Sequence, residues 1–331
     1  MIQKILLIQT ASLGDVVLAT SLLEKLHTHF PDAEIDLLIK KGYEGLFTEH
    51  PFLNELYIWD KTEAKYQNLF ILIKQLRKNA FDTVINLQRF AATGLITNLI
   101  EAKTRIGFSK NPLSLFYTRR IRHLIGEQGL SPHETVRNHA LIVHLTNEQV
   151  AKPRLYPSKN DIAKVSQYKT KTYICIAPAS LWFTKQYPED KWVELMQNIS
   201  PHFNIYLLGS KADFDLCNRI IEKSHFQNSI NLSGKLSLLE SAALMRDAQM
   251  NFVNDSAPLH LCSAVNAPVT AIYCSTVPEF GFGPLSADSA IVQTDEQLEC
   301  RPCGLHGWQE CPKKHFRCAT SISTQKLLAR I

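Results

Sequence analysis

Short apolar runs alternate with stretches of helical period along the whole chain. KILLIQ (4–9), EIDLLIK (34–40), ELYIW (55–59) and DTVINLQ (82–88) are almost continuously apolar, the pattern of strands covered on both faces. Between the first two, residues 16–30 place Val17, Leu18, Leu22, Leu23 and Leu26 at helical spacing, and Pro31 ends the run. A second amphipathic stretch covers residues 67–78. The second half repeats the scheme. TYICIA (172–177), NIYLLG (204–209), NSINL (228–232), QMNFVND (249–255) and PVTAIYC (268–274) read as strands, separated by helical patterns at 189–200, 211–225, 238–248 and 257–266. Ser237 and Glu240 form a capping box for the third of these helices. Residues 146–160, TNEQVAKPRLYPSKN, hold two prolines and few apolar positions and read as a linker. The pattern predicts an α/β protein of two Rossmann-like halves whose parallel sheets face each other across a cleft. Ligands are then expected beyond the C-terminal ends of the strands.

A length of 331 residues suits two domains. The net charge of +5 is too small to suggest a nucleic-acid binder. The opening MIQKILLIQT reads as a first strand rather than a secretory signal. No window of ~18 apolar residues is present, so a cytoplasmic protein with at most peripheral membrane contact is expected. All eight cysteines lie in the second half, and Cys175, Cys217, Cys262 and Cys274 read as buried thiols.

Five stretches carry chemistry. In TASLGDVV a turn with one glycine, Gly14, sets Asp15 where a helix begins; a dinucleotide fingerprint would need more glycines there. Asp15 is either a helix-stabilising acid or a carboxylate held ready to accept a proton, with Thr10 and Ser12 as its orienting groups. In IAPASLWFTKQYP, Ser180, Thr184 and Lys185 make a hydroxyl-bearing loop with a terminal ammonium suited to phosphate. In FVNDSAPLHLCSA, Ser256 is a natural N-cap before Pro258. Asp255 would face sugar hydroxyls, and His260 lies a turn inside the helix. The segment 103–123 has six Lys or Arg and no acid. It is either a solvated basic face or a contact for an anionic partner. The tail carries C-x2-C-x7-C-x6-C at Cys300, Cys303, Cys311 and Cys318, with His306 and His315 nearby. This is a zinc candidate, with reduced thiols or redox-dependent disulfides as the alternative.

Taken together, ILLIQTASLGDVVLATSLLEKL, RIGF (105–108), HETVRNHAL (133–141), KQYPEDKW (185–192), LLGS (207–210), NLSGKLSLLE, VNDSAPLHL, FGP (282–284) and CRPCG (300–304) resemble glycosyltransferase family 9, the ADP-heptose:lipopolysaccharide heptosyltransferases. The resemblance implies a GT-B fold, with residues 1–155 binding the acceptor and 156–331 binding the nucleotide sugar, the last helix being free to return to the first domain. It implies inverting transfer of heptose from ADP-heptose to the lipopolysaccharide inner core, with no metal or other cofactor and no nucleic-acid partner. It implies work in the cytoplasm or at the cytoplasmic face of the inner membrane. Asp15 and Lys185 take the catalytic positions. Ser180, Thr184, Lys185, Asp255, Ser256 and His260 take donor-binding ones, and Ser12, Arg105, Arg119, Arg120 and Arg122 become acceptor candidates. Ala257 stands where the family usually has Gly, which leaves the donor's identity open. Another nucleotide-sugar donor, or a non-catalytic nucleotide- or glycan-binding role, are the rival readings.

Overall fold

A computed structural model describes residues 2–124 and 131–331. The chain divides into two compact units, Met1–Tyr156 and Pro157–Ile331. In the first, the strands are β1 (Lys4–Ile8), β2 (Glu34–Lys40), β3 (Leu53–Trp59), β4 (Thr83–Asn86), β5 (Thr104–Phe108) and β6 (Arg119–Ile121). The helices are α1 (Leu13–His29), α2 (Lys65–Arg77), α3 (Ala91–Leu99) and α4 (Glu134–His139). The sheet runs β3-β2-β1-β4-β5-β6, and every neighbouring pair is parallel. On one face of it Leu6, Ile8, Leu38 and Val84 meet Leu69, Leu72, Ile73 and Leu76 of α2 and Ile96 of α3 in one core.

The second unit holds α5 (Lys159–Val165), β7 (Tyr173–Ala177), α6 (Glu189–Asn198), β8 (Asn204–Leu207), α7 (Phe214–Ser224), β9 (Ser229–Asn231) and α8 (Leu238–Arg246). It continues with β10 (Met250–Asn254), α9 (Ala257–Ala264), β11 (Val269–Tyr273), β12 (Ser289–Gln293), α10 (Arg317–Thr320) and α11 (Gln325–Leu328). Its parallel sheet runs β12-β11-β10-β7-β8-β9, over a core of Ile174, Trp192, Leu195, Phe252 and Ile272.

Two expectations change. The stretch 146–160 is no free linker. Arg154 N donates to Thr20 Oγ1 at 2.9 Å, the Tyr156 hydroxyl to Glu24 at 2.8 Å, and Leu155 is buried. These bonds strap it along α1, and α5 already begins at Lys159 behind a Ser158–Asp161 capping box. The last helix stays with the second unit instead of returning to the first, because Leu327 is buried in that unit's core and α11 packs on α6.

Candidate active site

From β1 the first chain half builds outward to β2 and β3, then crosses back to β4 on the other side of β1. The crevice between the C-terminal ends of β1 and β4 is therefore a topological switch point, the place where open parallel sheets take ligands. Asp15 stands at it. Ser12 is the N-cap of α1, and Asp15 is the third helical residue of a capping box. Ser12 donates its backbone N–H (3.1 Å) and its hydroxyl (2.5 Å) to Asp15 Oδ2. Both contacts fall on Oδ2, which leaves Oδ1 without a partner among the described residues. Asp15 thus secures the helix start and still presents a half-exposed carboxylate.

The surroundings of this turn are fixed by groups that the sequence did not single out. Lys61 donates to the Thr10 carbonyl at 2.8 Å and the Thr10 hydroxyl at 3.0 Å, and lies 4.4 Å from the centre of the Trp59 ring. Burial, with Lys40 and Lys65 nearby, holds this ammonium down at about 8. Gln88 donates to Gln9, joining the ends of β4 and β1. Against α1 packs α4, which carries a buried ion pair between Glu134 and Arg137. Burial pushes Glu134 up, the Arg137 guanidinium opposes this, and the Asp15 carboxylate adds to the rise. Arg89, just past β4, is the next charge felt by Glu134. Two carboxyl groups, two guanidinium groups and a lysine therefore gather at one sheet edge. The HETVRN spacing shows Glu134 and Arg137 one helical turn apart, but nothing in it shows that they are buried.

The second unit repeats the arrangement. Its chain builds from β7 to β8 and β9, then crosses back to β10 beside β7, so the switch point lies between β7 and β10. The two phosphate-suited stretches of the sequence meet there. Lys185, at the end of a 3-10 turn after β7, places Nζ 2.7 Å from Asp255 Oδ2, just beyond β10. Thr276 donates its hydroxyl to the same oxygen at 2.7 Å. Ser256 is the N-cap of α9 by position, yet its side chain caps nothing; its hydroxyl turns back to the Asn254 carbonyl at 3.4 Å. In the first turn of α9 Pro258 has no N–H and Leu259 N donates to the Ser256 carbonyl at 3.0 Å, so among the described residues the N–H of half-exposed Ala257, at its head, is the one left to an anion. His260 is buried and packs edge-on to Phe282, so it supports this helix more than it lines an open surface.

Thr184 is placed differently from expectation. It is buried, and its hydroxyl accepts from Ser275 Oγ (3.0 Å) and from Trp308 N (2.8 Å), while Thr184 N donates to the Trp308 carbonyl at 3.1 Å. Its hydroxyl is consumed by structure and is closed to a donor. Ser180 is half-buried in the same loop. Through Thr184 the cysteine-bearing tail roofs the lysine site. Cys303 N donates to the Ser275 carbonyl, and the Arg301 guanidinium donates to the Cys274 and Thr276 carbonyls at the end of β11. Gly307, at φ +77°, passes so close that a Cβ there would lie 2.8 Å from Thr184 Oγ1 and 3.1 Å from Lys185 Cγ.

The remaining expected residues scatter. Arg105 donates to the carbonyls of Ala102 and Phe116, a structural tie at the start of β5. Arg119 and Arg120 are exposed on the edge strand β6, and Arg122 follows its C-terminal end, on the same sheet edge as Asp15. Cys300, Cys303, Cys311 and Cys318 line one pocket with His315, and Cys300 Sγ lies 3.7 Å from His315 Nε2. Among the described residues no three His, Cys, Asp or Glu side chains are grouped to hold a metal ion. Cys303 spends its thiol on the Cys300 carbonyl, and Cys318 is carried into α10 and buried, so the zinc set expected from spacing is not assembled. All eight cysteines are free thiols.

The model of the family described as glycosyltransferase family 9 (heptosyltransferase) matches residues 69–308, a span that begins after the Asp15 turn. Lipopolysaccharide heptosyltransferase 3 of Escherichia coli is 27% identical over 281 residues, covering 80% of this chain and 81% of that protein. Among solved structures, the glycosyl transferase family 9 protein from Veillonella parvula superposes with a TM-score of 0.86 at 20% identity, covering 99% of this chain and 96% of that one. The E. coli ADP-heptose lps heptosyltransferase II superposes with 0.80 at 20% identity, covering 99% and 97%. These superpositions establish the fold.

Proposed function

Because the chain belongs to glycosyltransferase family 9, we propose that it transfers heptose from ADP-heptose to the lipopolysaccharide inner core with inversion at the anomeric carbon. The observation that carries this reading is the second switch point, where a buried Lys185–Asp255 pair stands beside a helix N-terminus that no side chain caps. An ammonium has three N–H donors. Asp255 takes one and fixes the head group, and the others serve the diphosphate.

The acceptor occupies the first unit's switch point. Its hydroxyl proton passes to Asp15 Oδ1 as the hydroxyl oxygen attacks the anomeric carbon. The bond from that carbon to the diphosphate breaks, and ADP leaves with the electron pair. Lys185 and the N–H of Ala257 at the head of α9 stabilise the charge that develops on it. Ser12 holds Asp15 Oδ2 and so aims Oδ1. Arg89, Arg119, Arg120 and Arg122 are the acceptor's anion contacts, and Arg105, spent on carbonyls, is set aside. An acceptor bearing a lipid anchor places this work at a membrane surface, on the cytoplasmic face where the nucleotide sugar is available.

Incubation with ADP-heptose and a truncated core acceptor tests the reading. Release of ADP together with a heptosylated product of inverted configuration is expected. ADP binding without donor consumption would instead identify a nucleotide-binding protein. Parallel assays with ADP-, UDP- and GDP-sugars decide whether the Ala257 methyl, at the head of α9, excludes the heptose donor.

A further inference from the structure

The inner face of α2 is committed to the core through Leu69, Leu72, Ile73 and Leu76, yet its outer face is also apolar. Tyr66 is 68% exposed, Phe70 59% and Ile71 66%. Tyr66, Phe70 and Lys74 follow at i, i+4 and i+8, with Ile71 and Lys78 beside them, so they form one stripe. From residue 64 to 78 the chain has four basic residues and no acid; among the described residues only Arg77 makes an ion pair, to Glu101. The helix begins after the C-terminal end of β3, on the sheet edge that also carries the Asp15 turn.

Exposed large side chains flanked by lysines are the make-up of a helix that lies in a bilayer's headgroup region. Among the described residues no helix is long and apolar enough to cross a membrane. We propose that the outer face of α2, through Tyr66, Phe70, Ile71, Lys74 and Lys78, seats the protein on an anionic lipid surface. A second copy of this chain on the same face would set like charges against each other, which argues for the lipid occupant. The placement rests on the transferase reading only in giving the lipid-anchored acceptor a short path to the Asp15 edge.

Full-length protein is titrated with phosphatidylethanolamine vesicles with and without phosphatidylglycerol, at low and raised salt. Binding to the anionic vesicles, weakened by salt, is expected. Phe70→Ser with Ile71→Ser, and separately Lys74→Glu with Lys78→Glu, should each lower partitioning by at least ~tenfold. Both variants should keep the wild-type melting temperature and turnover on a delipidated acceptor. Equal affinity for both vesicle types, or a Phe70→Ser, Ile71→Ser variant that binds as wild type does, would overturn the proposal. So would a dimer in sedimentation that this variant abolishes while no vesicles are bound. Failure of the transferase reading is seen separately, as absent turnover on the delipidated acceptor with vesicle binding intact.

Discussion

At the first sheet's switch point a helix N-terminus is closed by its own side chains, and at the second it is left open. Ser12 and Asp15 bond reciprocally at the head of α1, so a carboxylate faces outward where free N–H groups would otherwise be. At the head of α9, Ser256 turns away and the positive charge nearby comes from Lys185, clamped by Asp255. The same strand-turn-helix geometry thus presents an outward carboxylate in one unit and an ammonium beside an uncapped helix start in the other. The direction in which one serine side chain turns decides which.

The sharpest way to break this comparison is Asp15→Asn. The amide keeps much of the cap but accepts no proton, so kcat should fall by ~10³-fold while ADP affinity, read by calorimetry, stays as it is. Substantial turnover by the folded variant would remove the base from the first switch point. Next comes Lys185→Ala, which leaves Asp255 buried with only Thr276. A loss of roughly a hundredfold in kcat/KM is expected, with higher donor KM, together with a destabilisation of about 3 kcal/mol by denaturant titration. Gly307→Ala is milder and probes the roof alone. It forces a non-Gly residue to positive φ against Thr184 and Lys185, and should cost roughly tenfold in kcat/KM, carried by donor KM. Unchanged kinetics would free the lysine site from the tail.

The smallest effect separates the units by pH. Burial lowers both His50 and His123 to about 4, in the first unit. The fold therefore favours their neutral forms, while the unfolded chain protonates them near the ordinary value of 6.5. Their stabilising contribution is complete above 6.5 and is lost as pH falls from there to about 4. Thermal scans over this window should move the first unit's transition down by on the order of 5 °C, ahead of the second's.

Much of this was legible in the sequence. β2, read at residues 34–40, keeps those ends, and α6, α8 and α9 begin where the helical patterns begin, because strands covered on both faces and amphipathic helices declare themselves by period. What periodicity missed was short or atypical. Helix α3 lies among small residues, β6 has three residues on a charged edge, and the edge strand β12 (SAIVQ) has one buried position. Of the site, the Asp15 turn and the Lys185 and Asp255–Ser256 segments were marked by residue type, since a turn between strand and helix is a local event. Lys61, Thr276 and Gly307 were not, because each gains its role from a partner far along the chain; Glu134 and Arg137 are neighbours on one turn, but their burial comes from the packing of α4 on α1.

The sequence by itself determined the alternation of strand and helix, the two halves, and which turns carry a carboxylate, an ammonium and a capping serine, since all of these follow from neighbours within a few residues. Only the tertiary structure decided that Lys185 meets Asp255, that Thr184 is closed off by Trp308, that Arg105 is spent on carbonyls and that four cysteines share a pocket without converging. The first two outcomes join residues 70 or more apart and are set by the order of strands in the sheet, and the last two, though nearer in sequence, depend on how the folded chain buries and orients each side chain.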